Sequence, residues 1–97
     1  MKRPCVYILA NRRNGTLYIG VTSDLASRIA HHRDGTGSAF TNRHRTHRLV
    51  HAEFHATMLD AITREKRLKE WQRAWKLELI EAANPDWRDL YNDLIGL

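Results

Sequence analysis

Tyr7 and Tyr18 each sit inside a short apolar run of β-forming residues, Cys5-Val-Tyr-Ile-Leu-Ala10 and Leu17-Tyr-Ile-Gly-Val21, and Asn14-Gly15 lies between the runs. Asn-Gly flanked by such runs is the strongest short-range signal for a β-hairpin. With these two residues as the tip of a type I′ turn, Arg13 pairs with Thr16, Tyr18 faces Asn11 and Gly20 faces Leu9. Strand side chains alternate between faces, so Tyr7, Leu9 and Asn11 share a face with Tyr18 and Gly20. The expectation is two phenols on one face of one hairpin, offset by about four residues, or roughly 13 Å.

The chain has 97 residues, enough for one domain spanning 1–97 with a small core. It contains no apolar run of transmembrane length, and its first ten residues lack the apolar segment of a signal peptide. A cytoplasmic protein that does not engage membranes is the expectation, with no obligate protein partner in view. The single cysteine, Cys5, excludes an internal disulfide and reads as a core residue of the first strand. Charge is uneven. The first 51 residues carry nine Lys/Arg against two acids, a net +7, while the rest carry seven against nine, a net −2. Arginine outnumbers lysine twelve to four. A basic half rich in the planar guanidinium fork points to a polyanion, most simply nucleic acid.

Strands are expected over 4–11 and 16–22. Ser23-Asp24 marks a helix start, and that helix runs to about Arg33. Asp34 to Ser38 reads as a flexible loop, and residues 39–48 as a polar, basic stretch. A third strand is expected over 47–55. A long helix follows from about Thr57 to about Arg73, then a second helical stretch over 74–83, broken at Asn84-Pro85. Asp86 to Leu94 reads as a last short helix whose Trp87, Leu90 and Leu94 pack back. The order is ββαβααα: an α+β domain with a small, mainly antiparallel three-stranded sheet flanked by helices.

Two polar residues fall on apolar stripes. Leu25, Ile29 and His32 follow the spacing of a buried helix face, and Arg28 is a neighbour of both Leu25 and His32 on that surface. An arginine there needs anionic or hydrogen-bonding company, unless it snorkels out from the stripe's edge. On the long helix, Met58, Ala61, Ile62, Leu68 and Trp75 define an apolar arc, and Glu65 falls inside it. A carboxylate among core positions calls for a metal ion, an active site or an internal ion pair, for example with Arg28.

These residues resemble the GIY-YIG nuclease superfamily, as found in the N-terminal nuclease domain of UvrC and in small stand-alone bacterial members. The first signature reads Cys5-Val6-Tyr7, and the second is intact as Tyr18-Ile19-Gly20. Arg28 on the first helix, His32 one turn later and Glu65 on a later helix complete the family's order of catalytic residues. The stretch Arg64 to Lys69, followed by Trp71, Lys76, Leu79 to Glu81 and Asn84 to Trp87, is similar to the stand-alone members. Two positions depart from the pattern. Val21 stands where some members carry lysine, and Asn84, the one candidate for a late active-site asparagine, reads better as the residue that ends a helix.

The resemblance implies a metal-dependent endonuclease acting on nucleic acid, DNA first, in repair or processing. It implies that Tyr7 takes the nucleophile's proton, that Arg28 clamps a phosphate oxygen, and that Tyr18 and His32 position water or phosphate. Glu65 would anchor Mg²⁺ or Mn²⁺. The alternative is a non-catalytic nucleic-acid-binding module of the same fold. Arg43, Arg45 and Arg48, in a basic stretch that also holds His44 and His47, are expected to meet phosphates together with Arg12 and Arg13. No cysteine pair accompanies the histidines, so a zinc site is not expected there.

Overall fold

A computed structural model describes residues 2–94. Three strands, β1 (Cys5–Ala10), β2 (Leu17–Thr22) and β3 (Arg48–Phe54), form one sheet in the order β2-β1-β3, with both pairings antiparallel. The central strand is β1, and every one of its six residues is buried. That placement follows from its sequence: an unbroken apolar run can be covered on both faces, where an alternating strand could not. Val6, Ile8 and Ala10 point to one side, into a core with Ile19, Val50, Ala61, Leu68, Ile80 and Trp87. Cys5, Tyr7 and Leu9 point to the other, against Leu25, Ile29 and Leu49. Cys5 is a core residue as expected, and burial pushes its thiol up to about 11.

Helix α1 (Leu25–Arg33) covers the Tyr7 face and buries Leu25, Ile29 and His32, the stripe read from its spacing. Its N-cap is Asp24, whose carboxylate accepts from Ser27 N at 3.3 Å. Helices α3 (Met58–Glu70) and α4 (Arg73–Ala83) belong to the opposite face, and Thr57 caps α3 by accepting from Asp60 N at 3.1 Å. Glu53 of β3 ties this side together. It accepts two bonds from Arg64, at 2.9 and 3.1 Å, and lies 2.8 Å from His51 Nε2. Burial alone would raise the Glu53 pKa, but His51 and Arg64 override it and hold the carboxyl down at about 2.

Several expectations need correction. The hairpin does not close in a two-residue type I′ turn. Tyr7 pairs with Gly20 and Leu9 with Tyr18, a register two residues away from the expected one. The Asn11 side chain accepts from Thr16 N at 3.0 Å, which ends the ladder early and leaves Arg12 to Gly15 as a four-residue loop. Asn14 alone in that loop has positive φ, at 55°, whereas a type I′ turn needs two such residues. Arg73 of α4 donates to the Asn14 and Gly15 carbonyls at 2.8 and 2.7 Å and braces the widened tip.

The second correction concerns residues 39–48. They are not all loop: Ala39–His44 form a short helix, α2, capped by Ser38 and ended by Arg45 in the left-handed region at φ 54°. The expected order ββαβααα is otherwise met. Third, Trp75 does not continue the apolar arc of α3. The backbone turns extended at Trp71 and Gln72, so Trp75 lies in the first turn of a new helix and is half exposed.

The tail anchors the sheet from outside. Helix α5 is only Tyr91–Leu94, and Leu94 is exposed rather than packed back. Trp87 is fully buried and donates its Nε1–H to Glu81 at 2.9 Å. Asn84 ends α4 and uses its amide to donate to the Val50 and Arg88 carbonyls and to accept from Arg88 N. Those bonds account for Asn84 as a helix-ending anchor.

Candidate active site

The register shift brings the two tyrosines closer than the sequence suggested. A shift of two preserves side-chain parity, so Tyr7 and Tyr18 stay on one face, with ring centroids 6.3 Å apart. Both rings also meet His32 edge-on, at 5.7 and 5.2 Å. Tyr7 can cross toward α1 because the residue opposite it is Gly20. A Cβ on Gly20 would stand 2.4 Å from the Tyr7 ring carbon Cζ and from its hydroxyl oxygen. The glycine of the second signature therefore makes room for the tyrosine of the first.

A hydrogen-bonded chain runs through the Tyr7 hydroxyl. Arg28 Nε donates to Tyr7 Oη at 3.3 Å, and Tyr7 Oη lies 2.9 Å from His32 Nε2. On its other side, His32 Nδ1 lies 2.9 Å from Thr41 Oγ1. The α2 cap sets the direction of this chain. Thr41 N–H donates to Ser38 Oγ at 3.1 Å, and Thr41 Oγ1 donates its proton to the Ser38 carbonyl at 3.2 Å. Where Thr41 Oγ1 gives its proton to that carbonyl, it accepts from His32, and His32 then carries its proton on Nδ1. Nε2 is left as a bare acceptor, and Tyr7 O–H donates to it.

The electrostatics agree with that assignment. His32 is completely buried. Burial first, then the charges of Arg28, His47 and His31, lower its pKa from 6.5 to about 4, so the ring is neutral at pH 7. Burial also pushes the Tyr7 phenol up to about 12, against the pull of the Arg28 hydrogen bond. The hydrogen bond to Tyr7 raises Arg28 further above its ordinary value. A protonated Tyr7 held between a permanent cation and a neutral imidazole acceptor is arranged to pass its proton on when another arrives.

Four of the five candidate residues thus share one cluster: Tyr7, Tyr18, Arg28 and His32. Glu65 stands a step away. The side chain of Glu65 is 13% exposed and pairs with Lys69, one helical turn on, at 2.9 Å, rather than with Arg28. Lys69 in turn lines a cavity of about 280 Å³ with Tyr18, Phe40 and Lys76. Lys69 thus stands between the carboxylate it pairs with and the cavity that Tyr18 lines. Among the described residues, no three His, Cys, Asp or Glu side chains converge on one point. A lone, largely buried carboxylate suits a small hard cation that keeps several waters and shares phosphate oxygens, and does not suit an all-protein cage.

The arginines expected to touch phosphate divide. Arg12, Arg43 and Arg45 are exposed, and Arg13 is exposed with Glu81 at 4.0 Å. Arg48 is partly buried and donates to the Trp87 carbonyl at 3.2 Å, which commits it to the tail. Residues that the sequence reading left out are Ser38 and Thr41, which orient His32, and Gly37. A Cβ on Gly37 would lie 2.5 Å from His32 Nδ1. Ser38 ahead of a short polar run is an N-cap signal, and it was the one available clue to α2.

A three-stranded antiparallel sheet flanked by helices, with two tyrosines on one face beside a first-helix arginine and histidine, defines a small α+β domain. Residues 3–78 match the GIY-YIG catalytic domain, and the chain belongs to that nuclease family. It is similar to the UPF0213 protein SSP2268 of Staphylococcus saprophyticus, 35% identical over 82% of this chain and 96% of the relative. The UPF0213 protein SH2523 of Staphylococcus haemolyticus is 36% identical over 84% of this chain and 98% of the relative. The solution NMR structure of the UPF0213 protein BH0048 from Bacillus halodurans superposes with a TM-score of 0.57 at 27% identity. The superposition covers 93% of this chain and 95% of that one. No described helix is long and apolar enough to cross a membrane.

Proposed function

We propose that this protein is a divalent-metal-dependent endonuclease that hydrolyses nucleic-acid phosphodiester bonds, with DNA as the first substrate. The observation that carries the reading is the directed chain Arg28–Tyr7–His32–Thr41. Tyr7 accepts the attacking water's proton as it hands its own to His32 Nε2, so no free phenolate has to form in a buried setting. Arg28 spends Nε on Tyr7, and its planar fork clamps a non-bridging phosphate oxygen. Once phosphate meets that charge, one of the influences that depress His32 weakens, and its capacity to accept the proton rises. Tyr18, against both Tyr7 and His32, holds the phosphate or the water in line. Glu65 would hold Mg²⁺ or Mn²⁺, in place of the Lys69 ammonium, and the ion would neutralise charge developing on the phosphorus oxygens and the leaving group.

One observation favours the second reading, a nucleic-acid-binding module without turnover: Tyr7 is completely buried. A cleavage screen against duplex, branched and single-stranded DNA and RNA, with Mg²⁺, Mn²⁺ or EDTA, separates the two. Metal-dependent cuts lost in EDTA support the nuclease. Binding without cuts in every arm supports the module.

A further inference from the structure

Phe40 is an apolar ring left outside both cores. It is 42% exposed, and it projects from α2 between two other rings. Its centroid is 5.8 Å from that of Tyr18 and 4.5 Å from that of His44. The ring also forms a wall of two cavities of about 280 Å³ each. One cavity runs from Tyr18 to Lys69 and Lys76, and the other reaches Arg43 and His44. The cations are held at the rims. Lys69 Nζ lies 2.9 Å from Glu65, and Lys76 Nζ donates to the Lys69 carbonyl at 3.4 Å.

An exposed aromatic ring beside the catalytic cluster, with positive charge on either side, has the composition of a base-stacking platform in an electrostatic groove. Bases inside a duplex have no free face to offer such a ring, whereas unpaired bases do. We propose that Phe40 stacks on an unpaired nucleobase next to the phosphate being cut, and that the site therefore takes strands with single-stranded character. Lys69, Lys76 and Arg43 follow the backbone on either side of that base. This inference rests on the reading of the same site as a nucleic-acid site, and it adds the substrate class.

The test is binding in EDTA, where turnover plays no part. A single-stranded oligonucleotide carrying 2-aminopurine and a blunt-ended, fully paired duplex of the same sequence are titrated with the parent, Phe40→Ala, Phe40→Leu and Phe40→Trp. Circular dichroism checks the folded fraction. The expected result is that the parent quenches 2-aminopurine, that Phe40→Ala weakens single-strand affinity about tenfold or more, and that Phe40→Trp restores it. Duplex affinity stays within about twofold. Equal loss on both substrates, an unchanged Phe40→Ala, or a Phe40→Leu that binds like the parent overturns the proposal, since the ring would then serve only to cover Tyr18. A parent that binds neither substrate overturns it together with the nucleic-acid reading. Binding that depends on Phe40 but is never followed by cleavage in Mg²⁺ upholds stacking and defeats the nuclease reading alone.

Discussion

The phenol of Tyr7 lies over the backbone of Gly20, its partner in the hairpin, so closely that even one added methyl would stand 2.4 Å from the hydroxyl oxygen. Gly20→Ala must therefore move either the strand or the ring. Overpacking of this kind costs about 1–3 kcal/mol. The expected outcome is a lower denaturant midpoint together with a rate loss larger than the loss of folded protein, because the displaced phenol leaves both Arg28 and His32. A Gly20→Ala variant with the parent's midpoint and rate would show that the contact is slack.

The parity of the hairpin was legible in the sequence and its register was not. Asn14-Gly15 announced a turn, but the bond from Thr16 N to the Asn11 side chain and the brace from Arg73 set its length. Arg73 is far away in sequence, so no local signal could have shown it. The stripe Leu25, Ile29, His32 was plain from period alone, whereas period alone left Arg28 open to snorkelling outward, and only its Nε bond to Tyr7 fixes it. Helix α2 was missed for a physical reason. Six polar and mixed residues carry no apolar period, and Thr41 is buried because it holds His32, a tertiary contact. Glu65 falls toward the interior as its spacing indicates, and the cation beside it is Lys69 at i+4, a spacing that helix geometry favours over the distant arginine offered as an example.

Tyr7→Phe tests the proton path. The variant keeps the ring and loses the hydroxyl, so nucleic-acid affinity should stay close to that of the parent. Single-turnover cleavage should fall by about 10² or more, the usual scale for removing a general base. Stability should also drop, by about 1–3 kcal/mol, because His32 Nε2 is left as a buried acceptor without a donor. A rate within about threefold of the parent, per folded molecule, would move suspicion to Tyr18 or His32.

Glu65→Gln separates metal from structure. The present partner of Glu65 is Lys69, 55% exposed at its side chain, and an i,i+4 pair of this sort contributes only about 0.3–0.5 kcal/mol. The fold should survive, while cleavage in Mg²⁺ should be abolished, because a neutral amide holds a hard cation poorly. Parent-like cleavage would remove Glu65 from the metal site, and unfolding would show that the carboxylate is a structural ion partner.

Arg43 and Arg45 test the phosphate contacts outside the cluster. Arg48 is excluded, because its bond to the Trp87 carbonyl would confuse binding with stability. Replacing Arg43 and Arg45 together with Ala should reduce the slope of log affinity against log salt on duplex DNA by about 2. An unchanged slope would mean that α2 and its end do not meet the backbone.

Stability against pH should fall in two separable steps, because a buried group and a partly buried one are depressed over different ranges. His32 drops from 6.5 to about 4 in the folded protein. Between those values the unfolded chain binds a proton that the native state refuses, so stability is fully present above pH 6.5 and is lost as pH falls toward 4. The size of the step is on the order of 3 kcal/mol. Glu53 is depressed from 4.5 to about 2, so the ionised carboxylate contributes stability above 4.5 that is lost as pH falls toward 2. The physical sources differ as well: burial beside Arg28 for His32, and the bonds from His51 and Arg64 for Glu53. Denaturant titrations from pH 7.5 to 2.5 should show both steps in the parent. His32→Gln should lose the upper step and keep the lower one, and Arg64→Met should weaken the lower one and keep the upper. A His32→Gln variant that retains the full decline between pH 6.5 and 4 would show that His32 is not the source of the upper step.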